Sequence, residues 1–168
     1  MADVNPFQQV YEGLWALLNA NAGFVSLIPT GNQINYDGTR RNPEKRAIQP
    51  ADLPEARLLM RPGGKLWEYR TSNGSSVTQL FDVQVSTGEK PLTVLFDVEW
   101  EVYRAFADWM SVLEILTWND EDFVKKCKLL EISSQTLDSE EHNRSQYGWS
   151  TVWSGEVEMW FSTESLKP

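Results

Sequence analysis

Residues 92–104 read LTVLFDVEWEVYR, and the fold turns on how that stretch is taken. Its even positions, Leu92, Val94, Phe96, Val98, Trp100 and Val102, are all apolar. Thr93, Asp97, Glu99 and Glu101 hold odd positions, with Leu95 and Tyr103 at the fringes. Period two over so long a run predicts one strand with a dry face and a wet, acidic face. Residues 149–161 repeat the pattern. Trp149, Thr151, Trp153, Val157, Met159 and Phe161 point one way, while Ser150, Ser154, Glu156 and Glu158 point the other.

Upstream, residues 77–86 alternate as well, with Phe81, Val83 and Val85 opposite Asp82 and Gln84. The segment 86–90 (STGEK) is then a hairpin loop into 92–104, which makes those two strands antiparallel neighbours. Residues 56–61 predict a further strand, Pro62-Gly63-Gly64 a turn, and 65–70 a strand pairing back before a second turn at 72–76. The basic segment 39–55 sets Arg40, Arg41, Lys45 and Arg46 among Pro43, Pro50 and Pro54. Such a run suits neither a helix nor an inner strand, so it reads as a long exposed loop. Thr30-Gly31 and Asp37-Gly38 bracket a short extended piece, 33–36. At the N-terminus, Asn5-Pro6 is a helix start. Phe7, Val10, Tyr11, Leu14, Leu17 and Leu18 then form an apolar stripe with Trp15 at its edge. Residues 19–23 end that helix, and 24–27 add a short turn before Pro29.

Downstream of Arg104 the period changes. Phe106, Trp109, Met110, Leu113 and Leu116 predict a helix over 105–117. The acidic cluster Asn119, Asp120, Glu121 and Asp122 predicts a helical turn at 122–126, followed by a strand at 129–136. Residues 137–147, with Asp138, Glu140 and Glu141, read as an exposed acidic loop. The order predicts one α+β domain over residues 1–168: an antiparallel or mixed sheet with helices packed on one face.

Net charge is −9 and unevenly placed. Residues 1–70 carry 8 Lys and Arg against 7 Asp and Glu, while 71–168 carry 7 against 17. An acidic chain repels a polyanion, which disfavours sequence-specific nucleic-acid binding but not a protein that encloses DNA without gripping it. The N-terminal MADVNPFQQV has neither basic leader nor apolar core, and the longest apolar run, 14–18, is far too short for a bilayer. The expectation is an intracellular protein with no membrane partner.

Catalytic and metal chemistry find little to stand on. The single histidine, His142, lies in the acidic loop, where Glu140 and Glu141 favour a charged imidazole over a neutral base. One histidine and one cysteine, Cys127, cannot supply a His/Cys metal site, and 119–122 lacks the spacing and glycine of a Ca²⁺ loop. Arg61-Pro62-Gly63-Gly64-Lys65 lacks the glycine spacing of a phosphate cradle. No catalytic, cofactor or metal residue is expected. The sharpest polar constellation is Asp97, Glu99 and Glu101, about 7 Å apart if on a strand, and it reads as a solvated sheet face or a channel wall.

The order of elements carries a resemblance: an N-terminal amphipathic helix, a turn at 23–27, Pro29-Thr30-Gly31-Asn32, a Pro-rich loop, hairpin strands, a helix and a closing aromatic strand at 149–161. It resembles the tail terminator (tail completion) proteins of long-tailed bacteriophages and prophages, through element order and texture over most of the chain. The resemblance implies an α+β subunit, without cofactor or enzyme activity, that forms a ring, commonly a hexamer. Such a ring caps the tail tube, stops its polymerisation and meets the head–tail connector. The implied partners are other copies of the chain, the tail tube protein and the connector protein. DNA passes through unbound, and the protein resides in the virion after assembly in the host cytoplasm.

Physical reasoning adds two expectations. Asp97, Glu99, Glu101, Glu156 and Glu158 would form a channel-facing wall that lowers affinity for phosphate. Arg40, Arg41, Lys45 and Arg46 would dock on Asp138, Glu140 and Glu141 of a neighbouring subunit, as head-to-tail contacts require. Other readings are a tail tube subunit, a head–tail connector, or a monomeric binding module using Trp67, Trp118 and Trp160. An enzyme using acidic residues is a further one.

Overall fold

The computed structural model describes residues 5–42, 54–88, 91–137 and 148–164. Helix α1 (Pro6–Ala20) starts where Asn5 and Pro6 predict: the Asn5 side chain accepts from the Phe7 N–H, and Pro6 occupies the first turn, where no intrahelical donor is needed. Asn21 separates α1 from α2 (Ala22–Leu27), whose first turn it caps by accepting from the Gly23 and Phe24 N–H groups. A 3₁₀ turn, Thr30–Asn32, leads into β1 (Gln33–Ile34). Long strands follow, β2 (Glu55–Thr71) and β3 (Gly74–Gly88), joined through Ser72 and Asn73.

The stretch 92–104 is not a strand. It lies within helix α3 (Leu92–Ala107), which starts after Pro91 and carries Arg104 in its last turn. The expected hairpin between 77–86 and 92–104 therefore does not exist. Two apolar stripes on opposite sides of the helix produce the apparent alternation, as described below. The expected helix over 105–117 ends at Ala107, and a 3₁₀ turn, Trp109–Ser111, follows. A small hairpin, β4 (Thr117–Trp118) and β5 (Glu121–Asp122), replaces the expected helical turn at 122–126. Asn119 and Asp120 both have positive φ, 50° and 61°, the backbone of a tight hairpin turn rather than of a helix cap. Strands β6 (Val124–Leu137) and β7 (Gly148–Ser162) complete the chain.

The main sheet runs β1-β2-β3-β7-β6, with β1 parallel to β2 and every other pair antiparallel. The fold is α+β. The expected turn at Pro62-Gly63-Gly64 is instead a bulge inside β2, where the register shifts between Met60 and Lys65. Proline and glycine are tolerated there because, among the described residues, β1 covers only Ala56 and Arg57, leaving that part of β2 on a sheet edge.

Ser150, expected on the wet face, is buried, but from Thr151 onward alternation on β7 is as predicted, with Thr151, Trp153, Val157, Met159 and Phe161 buried. Their face is the one the helices cover. Phe7 of α1 packs edge-on against Phe161, Phe106 of α3 stacks on Phe81 of β3 at 5.4 Å, and Thr151 donates to Glu99 of α3. Val10, Leu14, Trp15, Leu17 and Leu18 of α1 and Leu95, Val98 and Val102 of α3 close the core over Val77, Phe81, Val83 and Val85. The opposite face carries Asp82, Ser154 and Glu156 and has no helix among the described residues.

Candidate functional site

Helix α3 has two apolar sides. Leu95, Val98, Val102, Ala105 and Phe106 are buried against the sheet. Phe96, Trp100 and Tyr103 form a second stripe and stand 55%, 58% and 53% exposed, with Leu92 at its N-terminal end. Trp100 and Tyr103 stack on each other, ring centroids 5.8 Å apart. At 100° per residue this stripe lies on the same side of the helix as Glu99, whose carboxylate accepts from Thr151 of β7 at 2.7 Å. The stripe thus flanks β7 and the sheet-edge strand β6, which α3 also reaches. There β6 exposes Leu130 and Ile132, each about half. Ile132 pairs with Trp153 and so belongs to the helix-covered face, at a place no described helix covers. The first half of β6 carries Lys125, Lys126 and Lys128 instead. Lysines guard the first half of the edge, and past them Leu130 and Ile132 are two exposed apolar side chains.

A second feature is an open cleft of ≈ 620 Å³ lined by the start of α1 (Phe7, Gln8, Tyr11, Glu12), the 35–37 turn, Met60 and Gln79. The Tyr11 hydroxyl is its hub. It accepts from the Trp15 indole and the Tyr36 N–H, each at 3.1 Å, and donates to Asn35. Burial pushes the Tyr11 phenol up. Asp37 is held below the ordinary carboxylate range by the Thr39 hydroxyl and N–H. Glu12 is ion-paired with Arg41 at 3.0 Å. Both carboxylates thus have local partners, Asp37 in Thr39 and Glu12 in Arg41.

The five carboxylates expected to form one channel wall do not share a surface. Asp97, Glu99 and Glu101 lie on α3, on the helical side of the sheet, whereas Glu156 and Glu158 alternate with the buried residues of β7 and face the other way. Each is also locally occupied or solvated. Asp97 is exposed, Glu99 binds Thr151, and Glu101 pairs with Arg104 at 3.1 Å beside Gly23, where a Cβ would run into its carboxylate. Glu156 pairs with Lys128 at 2.9 Å, and Glu158 sits opposite Lys126 in register. The wall reading depended on 92–104 being a strand and falls with it.

Of the expected docking residues, Arg40 donates to the Gly31 carbonyl. Arg41 pairs with Glu12, reaches Asn35 and lies over the Trp15 ring at 5.1 Å. Both engage their own chain. Lys45, Arg46, Asp138, Glu140, Glu141 and His142 lie outside the described residues. Trp118 packs edge-on against Phe161, and Trp160 closes over Gly74. Trp100 is the exposed tryptophan among the residues whose burial is described, and the strand reading had buried it. Cys127 is buried, its thiol pushed up to about 12 by burial and by the Glu156 charge. Among the described residues, no three His, Cys, Asp or Glu gather to hold a metal ion, and no helix is long and apolar enough to cross a membrane. No protein-family model matches the chain, and no curated protein matches it.

Proposed function

We propose that the protein is a structural subunit that assembles with copies of itself into a ring, in the role of the tail terminator that its sequence resembles. In that role the ring caps the tail tube, stops its growth and presents a surface to the head–tail connector. It acts in the virion tail after assembly in the host cytoplasm, as a non-enzymatic part without cofactor. The observation that carries the self-association reading is the flank of Phe96, Trp100, Tyr103, Leu130 and Ile132, each about half exposed. Trp100 and Tyr103 stack on each other in water, and aromatic residues are enriched at interfaces. The net charge of −9 suits a ring through which DNA slides without being held.

Negative-stain microscopy of the purified chain tests the ring. Discrete annular particles with a central hole support it; extended tubes favour a tube subunit, and isolated small particles contradict it. The cleft beside Tyr11 and Tyr36 favours a second reading, a monomeric module holding a small ligand against aromatic rings. A single 19.3 kDa species in solution would select that reading.

A further inference from the structure

The exposed stripe of α3 has a heptad pattern. Phe96 and Tyr103 are one heptad apart, as are Trp100 and Ala107, which gives the alternating four-and-three spacing of a helix–helix seam. Asp97 and Arg104 are also one heptad apart, so they lie on the same rim of that seam. Asp97 is exposed, and the Arg104 side chain is 56% exposed.

We propose that two copies of the chain pair through α3, antiparallel about a two-fold axis. Phe96, Trp100 and Tyr103 fill the seam, and Asp97 of each copy faces Arg104 of the partner subunit. Antiparallel helices bring a rim against the same rim of the partner with its ends exchanged. Asp97 then meets Arg104 twice, the reciprocal relation that an isologous contact requires. Parallel pairing would instead set this rim against the opposite one, where Glu99 lies, and Asp97 would not meet Arg104. The existing Arg104–Glu101 pair is an i,i+3 contact in which the Arg104 end is more than half exposed. Leu130 and Ile132 are exposed on β6, a strand that α3 reaches, and the lysines of β6 lie in its first half. The pairing rests on the reading of this flank as a self-association surface. It closes at two copies, so a ring built from such pairs would need a second contact elsewhere on the chain.

Charge exchange tests the pairing, with the full chain followed by sedimentation velocity over a range of concentrations. Asp97→Arg alone and Arg104→Asp alone each set like charges across the axis twice, and each should weaken pairing roughly tenfold. The double variant should regain it. An equimolar mixture of the two single variants should also regain it, since one offers two cations and the other two anions. Single variants that associate like the parent, or a mixture that fails to recover, would overturn the two-fold pairing while leaving self-association intact. A parent chain that stays at 19.3 kDa at every concentration would overturn both.

Discussion

At the scale of single residues, two positions carry sharp consequences. The Cys127 thiol, 4% exposed, is held protonated up to about 12 by burial and then by the Glu156 charge. The thiolate is the reactive form, so alkylation at pH 9 should run at least about a hundredfold slower on the native protein than on the unfolded chain. The linkage sign follows. Above the ordinary thiol range the unfolded chain loses this proton and the folded one keeps it, so this group's contribution to stability falls as pH rises from 9 towards 12. Gly155 is the other position. It faces Phe81 across the β3–β7 pair, and the Phe81 ring lies over it before stacking on Phe106. A Cβ there would run into the ring and the Lys128 carbonyl. Gly155→Ala should cost roughly 1–3 kcal/mol of unfolding free energy, read from urea denaturation, because the backbone carbonyl cannot swing aside.

At the scale of elements, Asn21 joins three of them. Its carbonyl oxygen caps α2 at Gly23 and Phe24, and its amide donates to the Glu101 carbonyl of α3 at 2.9 Å. Asn21→Ala removes a cap and a bond between helices, each worth about 1 kcal/mol, and should lower stability by roughly 1–3 kcal/mol without altering the sheet. Local signals made α1 legible, since Asn5, Pro6 and the stripe from Phe7 to Leu18 agree with one another. β7 was legible for the same reason: its alternation is simple, with one face dry. Helix α3 was not, and the cause is physical. The inner stripe holds Val98 and Val102, the outer one Leu92, Phe96 and Trp100, both advancing by four and offset by two. Interleaved, they look like period two. A helix with a single apolar side cannot produce that disguise, so the misreading itself marks an outer stripe that the monomer's fold does not require. Pro91 and Arg104, a start and a last-turn charge, were the signals that could have corrected it.

At the scale of the whole molecule, the main sheet carries its helices on one side and keeps a long edge at β6 among the described residues. Lysines at the start of that edge discourage strand-to-strand addition, so association by side-chain packing at α3 is the better-supported route. The five carboxylates are dispersed over both faces, so in the proposed role repulsion of DNA would rest on total charge rather than on a dedicated wall. The most direct test of the self-association account compares the solution mass of the parent chain with that of Trp100→Glu by light scattering after gel filtration. The account predicts a multiple of 19.3 kDa for the parent and at least about a hundredfold weaker association for the variant, since an aromatic at the centre of a seam is a hot spot. A parent of single-chain mass, or a variant that associates as tightly as the parent, would contradict it.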